Sequence, residues 1–84
     1  MDMATVERTA AIAIWTILLN DSVSLLENPG VQHRVLLRTA NALYRADVIN
    51  RDDLSDLLEL ADGALAYAVE ALIDSNPEEV QWPI

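Results

Sequence analysis

The sequence has no cysteine and no lysine, and its 84 residues include one histidine, two glycines and three prolines. Without cysteine, the chain cannot form disulfides, thiolate metal sites or a cysteine nucleophile. We expect a reducing, cytoplasmic location on this basis. His33 alone cannot supply the several ligands that a zinc site needs, and the two glycines lie too far apart to form a phosphate-binding loop.

Long apolar runs are also missing. The longest, residues 10–19, is interrupted by one threonine and is too short to span a bilayer, which takes about 20 residues. The first residues carry an acid before the first base, so a signal peptide is not expected. The sequence therefore predicts a protein that is not associated with a membrane.

Basic charge is scarce in the second half of the chain. The net charge is −9, yet residues 1–51 are neutral because five arginines balance five acids. Residues 52–84 hold nine acids and no base, so the whole excess lies there. Such a one-sided field repels nucleic acid and attracts basic protein surfaces. We expect a protein partner with a basic surface and no direct nucleic-acid binding.

What the chain has in abundance is alanine and leucine, both strong helix formers, within a composition that is 52% hydrophobic. The length predicts one domain, residues 1–84. The fold class predicted is all-α. A three-helix bundle is expected, with helices at about 4–27, 31–46 and 52–75 and a short extended C-terminal tail carrying Trp82.

Helix-breaking and helix-capping residues set these boundaries. Pro29 and Gly30 end the first helix, and Asp52 starts the third by complementing the helix dipole. Asn20 and Asp21 are interpreted as solvent-facing residues inside the first helix. A break there is the alternative, because these residue types also cap new helices.

The first helix is apolar around nearly its whole circumference, which is typical of a helix buried on more than one side. Two other helices offer little surface to cover it. A second copy of the chain would cover it, so a homodimer is predicted. Self-association is assigned to Ile12, Trp15 and Leu19.

The third helix combines an apolar seam with an acidic face. Leucines and alanines recur from residue 54 to residue 72 at alternating steps of four and three, the spacing of one helical face. The acids lie mainly off that seam and are predicted to bind the partner: Asp52, Asp56, Glu59, Asp62, Glu70 and Asp74. Gly63, in mid-helix, is interpreted as a site of close helix approach.

The second helix carries Arg34, Arg38 and Arg45 on one stripe. Such a stripe could bind phosphates. Pairing with acids of the third helix or of a partner subunit is favoured, since the chain has nine unmatched acids.

Paired carboxylates on the third helix could in principle serve a hydrolase. They belong to a solvent-facing stripe at helical spacing, however, with no apolar pocket implied to raise a pKa. No catalytic, cofactor-binding or metal-binding residue is therefore predicted, no cofactor is expected and the protein is not expected to be an enzyme. The predicted function is a small acidic protein–protein interaction module, a homodimeric regulator or inhibitor of a basic partner. The alternative is a nucleic-acid mimic that blocks a DNA- or RNA-binding machine through the acidic third helix.

Overall fold

The structure, a computed structural model, describes residues 2–75, and within that range it contains four helices and no strand. They are α1 (Met3–Leu19), α2 (Ser22–Glu27), α3 (Pro29–Arg45) and α4 (Arg51–Ser75). The predicted all-α class is confirmed. The predicted tail and Trp82 lie outside the described residues. None of the helices in this range is long and apolar enough to cross a membrane.

The prediction of one continuous helix over residues 4–27 is wrong, because the chain breaks at Asn20 and Asp21. Asp21 caps α2: its carboxylate accepts from the Ser24 N–H at 3.2 Å and from the Ser24 hydroxyl at 2.8 Å. A short acidic side chain offers these donors a substitute for the carbonyl of the preceding turn, which favours a new helix start. Both hydrogen bonds lower the pKa of Asp21, the one from the hydroxyl most strongly.

The Asn-Pro-Gly segment ends one helix and starts the next without a linker. The Asn28 side chain accepts from the Val31 N–H at 3.4 Å, and Pro29 occupies the first turn of α3. Proline suits that position because its fixed φ is helical and its missing N–H would have had no partner there. Therefore α3 begins two residues earlier than the predicted 31.

At the C-terminal end of α3, Ala46 is the C-cap and Asp47, which follows it, adopts a left-handed conformation with φ 60°. The Asp47 N–H donates to the Tyr44 carbonyl and the Val48 N–H to the Leu43 carbonyl, both at 3.0 Å. This is the hydrogen-bond pattern of a Schellman motif. The following Ile49 is buried in the core.

The core lies where α1, α3 and α4 meet and is built from Trp15, Leu36, Ala40, Ile49, Leu57 and Ala61. The indole N–H of Trp15 donates to the Leu36 carbonyl at 3.0 Å, so the buried ring keeps a polar partner. The Gln32 amide, also buried, donates to the Leu18 carbonyl at 2.8 Å. Residue numbers rise along α1 as they fall along α3 in these two contacts, so the two helices run antiparallel.

The first turn of α4 is fixed by Asp53, which is only 9% exposed. Its N–H donates to the Asn50 side chain at 2.8 Å, and its carboxylate accepts from the Asn50 N–H at 3.2 Å. This reciprocal pair is a capping box. The same carboxylate accepts from the Arg8 guanidinium, and that bond, more than any other, lowers the pKa of Asp53.

Candidate interaction surfaces

The six predicted partner-binding acids are all exposed, and they lie on the side of α4 away from the core. The core residues of that helix, Leu57, Ala61 and Ala68, are at most 3% exposed. Between Asp52 and Asp74 the helix rises about 33 Å. We call this side the acidic face; its members are Asp52, Asp56, Glu59, Asp62, Glu70 and Asp74.

One member of the acidic face has a partner within the chain. Asp62 Oδ1 lies 2.8 Å from Nε2 of His33 on α3, although the Asp62 side chain is 72% exposed. His33 itself is mostly covered, with 18% of its side chain exposed. Nothing in the local sequence pattern around His33 shows which turn of α4 lies across from it, so this contact could not be predicted.

An apolar groove opens on the acidic face after Glu59, where no acid follows Asp62 until Glu70. It has a volume of about 400 Å³, and its walls include Leu19, Leu25, Glu59, Leu60, Gly63 and Tyr67. Gly63 and Tyr67 follow Glu59 at steps of four along α4, so they continue the side that carries the carboxylates. The groove is therefore bordered by acids toward both ends of the helix.

Gly63 forms part of the groove rather than a helix contact. A Cβ atom built on it would meet no heavy atom within 4 Å, so the prediction of close helix approach is wrong. Its φ is not positive, so its backbone does not demand glycine either. A glycine inside a helix costs about 1 kcal/mol relative to alanine. Nothing in the packing of residues 2–75 compensates for that cost.

The three residues predicted for self-association face inward. Trp15 is 1% exposed and hydrogen-bonded inside the chain, while Ile12 and Leu19 are partly buried against the same core. A second copy cannot reach Trp15, so that residue is not available for self-association, whereas the assignment of Ile12 and Leu19 stays a prediction. The helix is apolar on both sides, and the sequence alone did not show which side the other helices would cover.

The outward side of α1 is a continuous apolar row. Met3, Val6, Ile14 and Ile17 are exposed by 73%, 43%, 68% and 72%. We call the row consisting of Met3, Val6, Ala10, Ala13, Ile14 and Ile17 the α1 row. Five of these positions follow alternating steps of three and four, the spacing of a coiled-coil seam. The inward residues Ile12, Trp15 and Leu19 share the same steps, so the spacing alone does not distinguish the two sides.

The arginine stripe of α3 is exposed and forms no ion pair with the described residues of α4. Within residues 2–75, no carboxylate lies within ion-pair distance of Arg34, Arg38 or Arg45. The predicted pairing with acids of the third helix is therefore wrong for the single chain. Opposite charges are thus carried on separate helices, with the basic stripe on α3 and the acidic face on α4.

No group of three or more acids or histidines in the described part of the chain could hold a metal ion. The carboxylates with lowered pKa, Asp21 and Asp53, both cap helices, so their shifts have a structural cause. Comparison with protein-family models, curated proteins and solved structures finds no match to this chain.

Proposed function

We propose that this protein is a small, non-catalytic protein–protein interaction module whose acidic face binds a basic protein partner. The observation that supports this most directly is the exposure of six acidic residues on one side of α4, opposite its core residues. Clustered charge of one sign steers oppositely charged partners and speeds their encounter. A partner covered in this way cannot use the same basic surface for another ligand, so the module acts as a regulator or inhibitor, with the cytoplasm as its proposed location.

The module is further proposed to be a homodimer joined through the α1 row. Side chains exposed by 43% to 73% form this row along α1. Exposed apolar patches above a few hundred Å² are uncommon on monomers and mark interaction sites. Two copies packed through their α1 helices would leave both acidic faces on α4 open to partners.

A nucleic-acid mimic is the alternative, because a row of carboxylates can also stand in for phosphates. The groove at Gly63 and Tyr67 favours the protein partner. A phosphate mimic gains nothing from an apolar gap in its charge, whereas protein interfaces combine an apolar centre with a polar rim.

The test is binding of a fluorescent lysine-rich helical peptide, followed by anisotropy. The triple variant D56N/E59Q/D62N removes three charges from the acidic face. The control E7Q/E27Q/D47N removes three charges from exposed residues elsewhere. We expect at least tenfold weaker binding for the acidic-face variant and little change for the control, with affinity falling as salt rises. Equal weakening by both variants would contradict the proposal, since net charge alone would then explain binding.

A further inference from the structure

We infer that the groove on α4 is the anchor pocket for a large apolar side chain of the basic partner, so that the partner segment is an amphipathic basic helix. This rests on the proposed function and names the chemistry that the acidic face would recognise. Three observations carry it: the interruption of the charge row, the glycine at that interruption, and the composition of the groove walls.

The interruption coincides with the groove. Glu59 lies in the groove wall, and Glu70 follows Tyr67 by less than one turn. Binding energy in protein interfaces concentrates in a few apolar anchors that fill pockets near the centre, while the charged rim contributes less. A groove with carboxylates beyond both ends matches a segment with one large apolar residue flanked by lysines or arginines.

Gly63 gives an independent reason. The fold does not require it, because a Cβ would meet open space and the backbone is helical there. Any side chain at residue 63 would occupy the groove instead. The glycine therefore leaves the groove open at a cost in helix stability. Such a cost is expected for a residue whose role is in ligand binding rather than in the fold.

The walls specify an apolar occupant. Leu19 and Leu25 contribute from the α1–α2 corner, and Leu60 and Tyr67 contribute from α4. Leu60 and Tyr67 are 50% and 65% exposed, so large apolar surfaces remain in water in the free chain. Helix-in-groove recognition uses this combination of apolar anchors and complementary charge. A volume of about 400 Å³ is at the small end of ligand-pocket size and accommodates a tryptophan side chain.

The test uses two synthetic helical peptides of lysine and alanine, one with a single central Trp and one with Ala at that position. Each is titrated against the wild-type chain, Gly63→Leu, Tyr67→Ala and the control Ala42→Leu, which alters an exposed position on α3. We expect the Trp peptide to bind at least tenfold more tightly than the Ala peptide to the wild-type chain and to Ala42→Leu. Gly63→Leu and Tyr67→Ala should reduce that advantage to less than threefold.

Equal affinities of the two peptides for the wild-type chain would overturn the anchor pocket while leaving charge-driven binding intact. An advantage that persists in Gly63→Leu and Tyr67→Ala would also overturn it, because the Trp would then bind elsewhere. If neither peptide binds the wild-type chain, the proposed function itself is contradicted. Tyr67→Ala is expected to fold, since Tyr67 is 65% exposed and its side chain is not part of the core. This variant therefore keeps the test decisive if Gly63→Leu fails to fold.

Discussion

The Arg8 guanidinium donates two hydrogen bonds to the carboxylate of Asp53, one of 2.6 Å from Nε to Oδ2 and one of 2.5 Å from Nη2 to Oδ1. These residues lie 45 positions apart, so the pair joins α1 to the start of α4. The side chain of Arg8 is 45% exposed and that of Asp53 only 10%. Because the same carboxylate closes the capping box with Asn50, one side chain fixes both the start of α4 and its attachment to α1.

Asp53→Ala should therefore destabilise the chain by about 1 kcal/mol, since it removes the cap of α4. Asp52→Ala, one residue earlier and exposed, is the matched control and should change little. Urea unfolding followed by circular dichroism measures both. Equal effects of the two substitutions would show that Asp53 acts only through the helix dipole.

The same pair predicts a dependence on pH. The pKa of Asp53 is lowered below its ordinary value of 3.8, first by the hydrogen bond from Arg8. A carboxylate with a lowered folded-state pKa contributes stability that is fully present above its unfolded pKa and is lost as pH falls through the folded value. The free energy of unfolding should thus fall as pH drops below about 4. In Asp53→Asn that fall should be smaller, and an unchanged pH profile would contradict this role.

Asp21→Ala tests the break between α1 and α2. Losing both hydrogen bonds to Ser24 should loosen α2, so its amides should exchange with deuterium about tenfold faster while those of α3 keep their protection. Asn20→Ala is the control, because Asn20 is exposed and its neighbour supplies the cap. Uniformly faster exchange in all helices would mean that Asp21 supports the whole fold rather than one cap.

At Asp47, unlike at the positions above, one substitution is expected to stabilise the chain. Its φ of 60° is one that glycine adopts freely and that L-residues adopt at a cost. Asp47→Gly should raise the free energy of unfolding by about 0.5 kcal/mol, and Asp47→Ala should lower it by a similar amount. Thermal unfolding of the two variants beside wild type measures the difference. Identical melting curves would show that the left-handed C-cap is not present in solution.

Self-association is tested on the α1 row. Ile17→Lys places a charge where the side chain is 72% exposed, so it should leave the fold intact while disrupting a dimer. Val23→Lys, at a position 67% exposed on α2, is the matched control. Sedimentation equilibrium should give a dimer mass for wild type and Val23→Lys and a monomer mass for Ile17→Lys. A monomeric wild-type chain at high micromolar concentration would contradict the homodimer.

Periodicity predicted the all-α class, the span of α4 and the side of α4 that carries its acids, because a long amphipathic helix repeats its signal over many turns. It failed at Asp21, where the apolar phase continues across a real break. There the outcome depended on whether one side chain caps a helix or faces solvent. The local sequence pattern is compatible with both a continuing helix and a new helix that starts after Asp21.

Contacts between distant residues could not be predicted in the same way. Arg8 and Asp53 each had many possible partners in the sequence, and only the packing of α1 against α4 brings them together. Likewise, the apolar residues of α1 do not show which side meets α3, so the sequence predicts self-association through Trp15, which instead lies in the core of the single chain. The groove combines residues of α1, α2 and α4. In the sequence, the glycine in mid-helix at position 63 was the one unusual feature among them.

The central claim is that a basic partner binds on α4 between Asp56 and Glu70, with its anchor in the groove. The most direct measurement is an amide chemical-shift titration of the ¹⁵N-labelled protein with the Trp-containing lysine peptide. The account predicts that the largest shifts fall within residues 56–70 of α4 and residues 19–25, which supply the opposite wall. Largest shifts along the α1 row or on the α3 arginine stripe, with residues 56–70 unchanged, would contradict it.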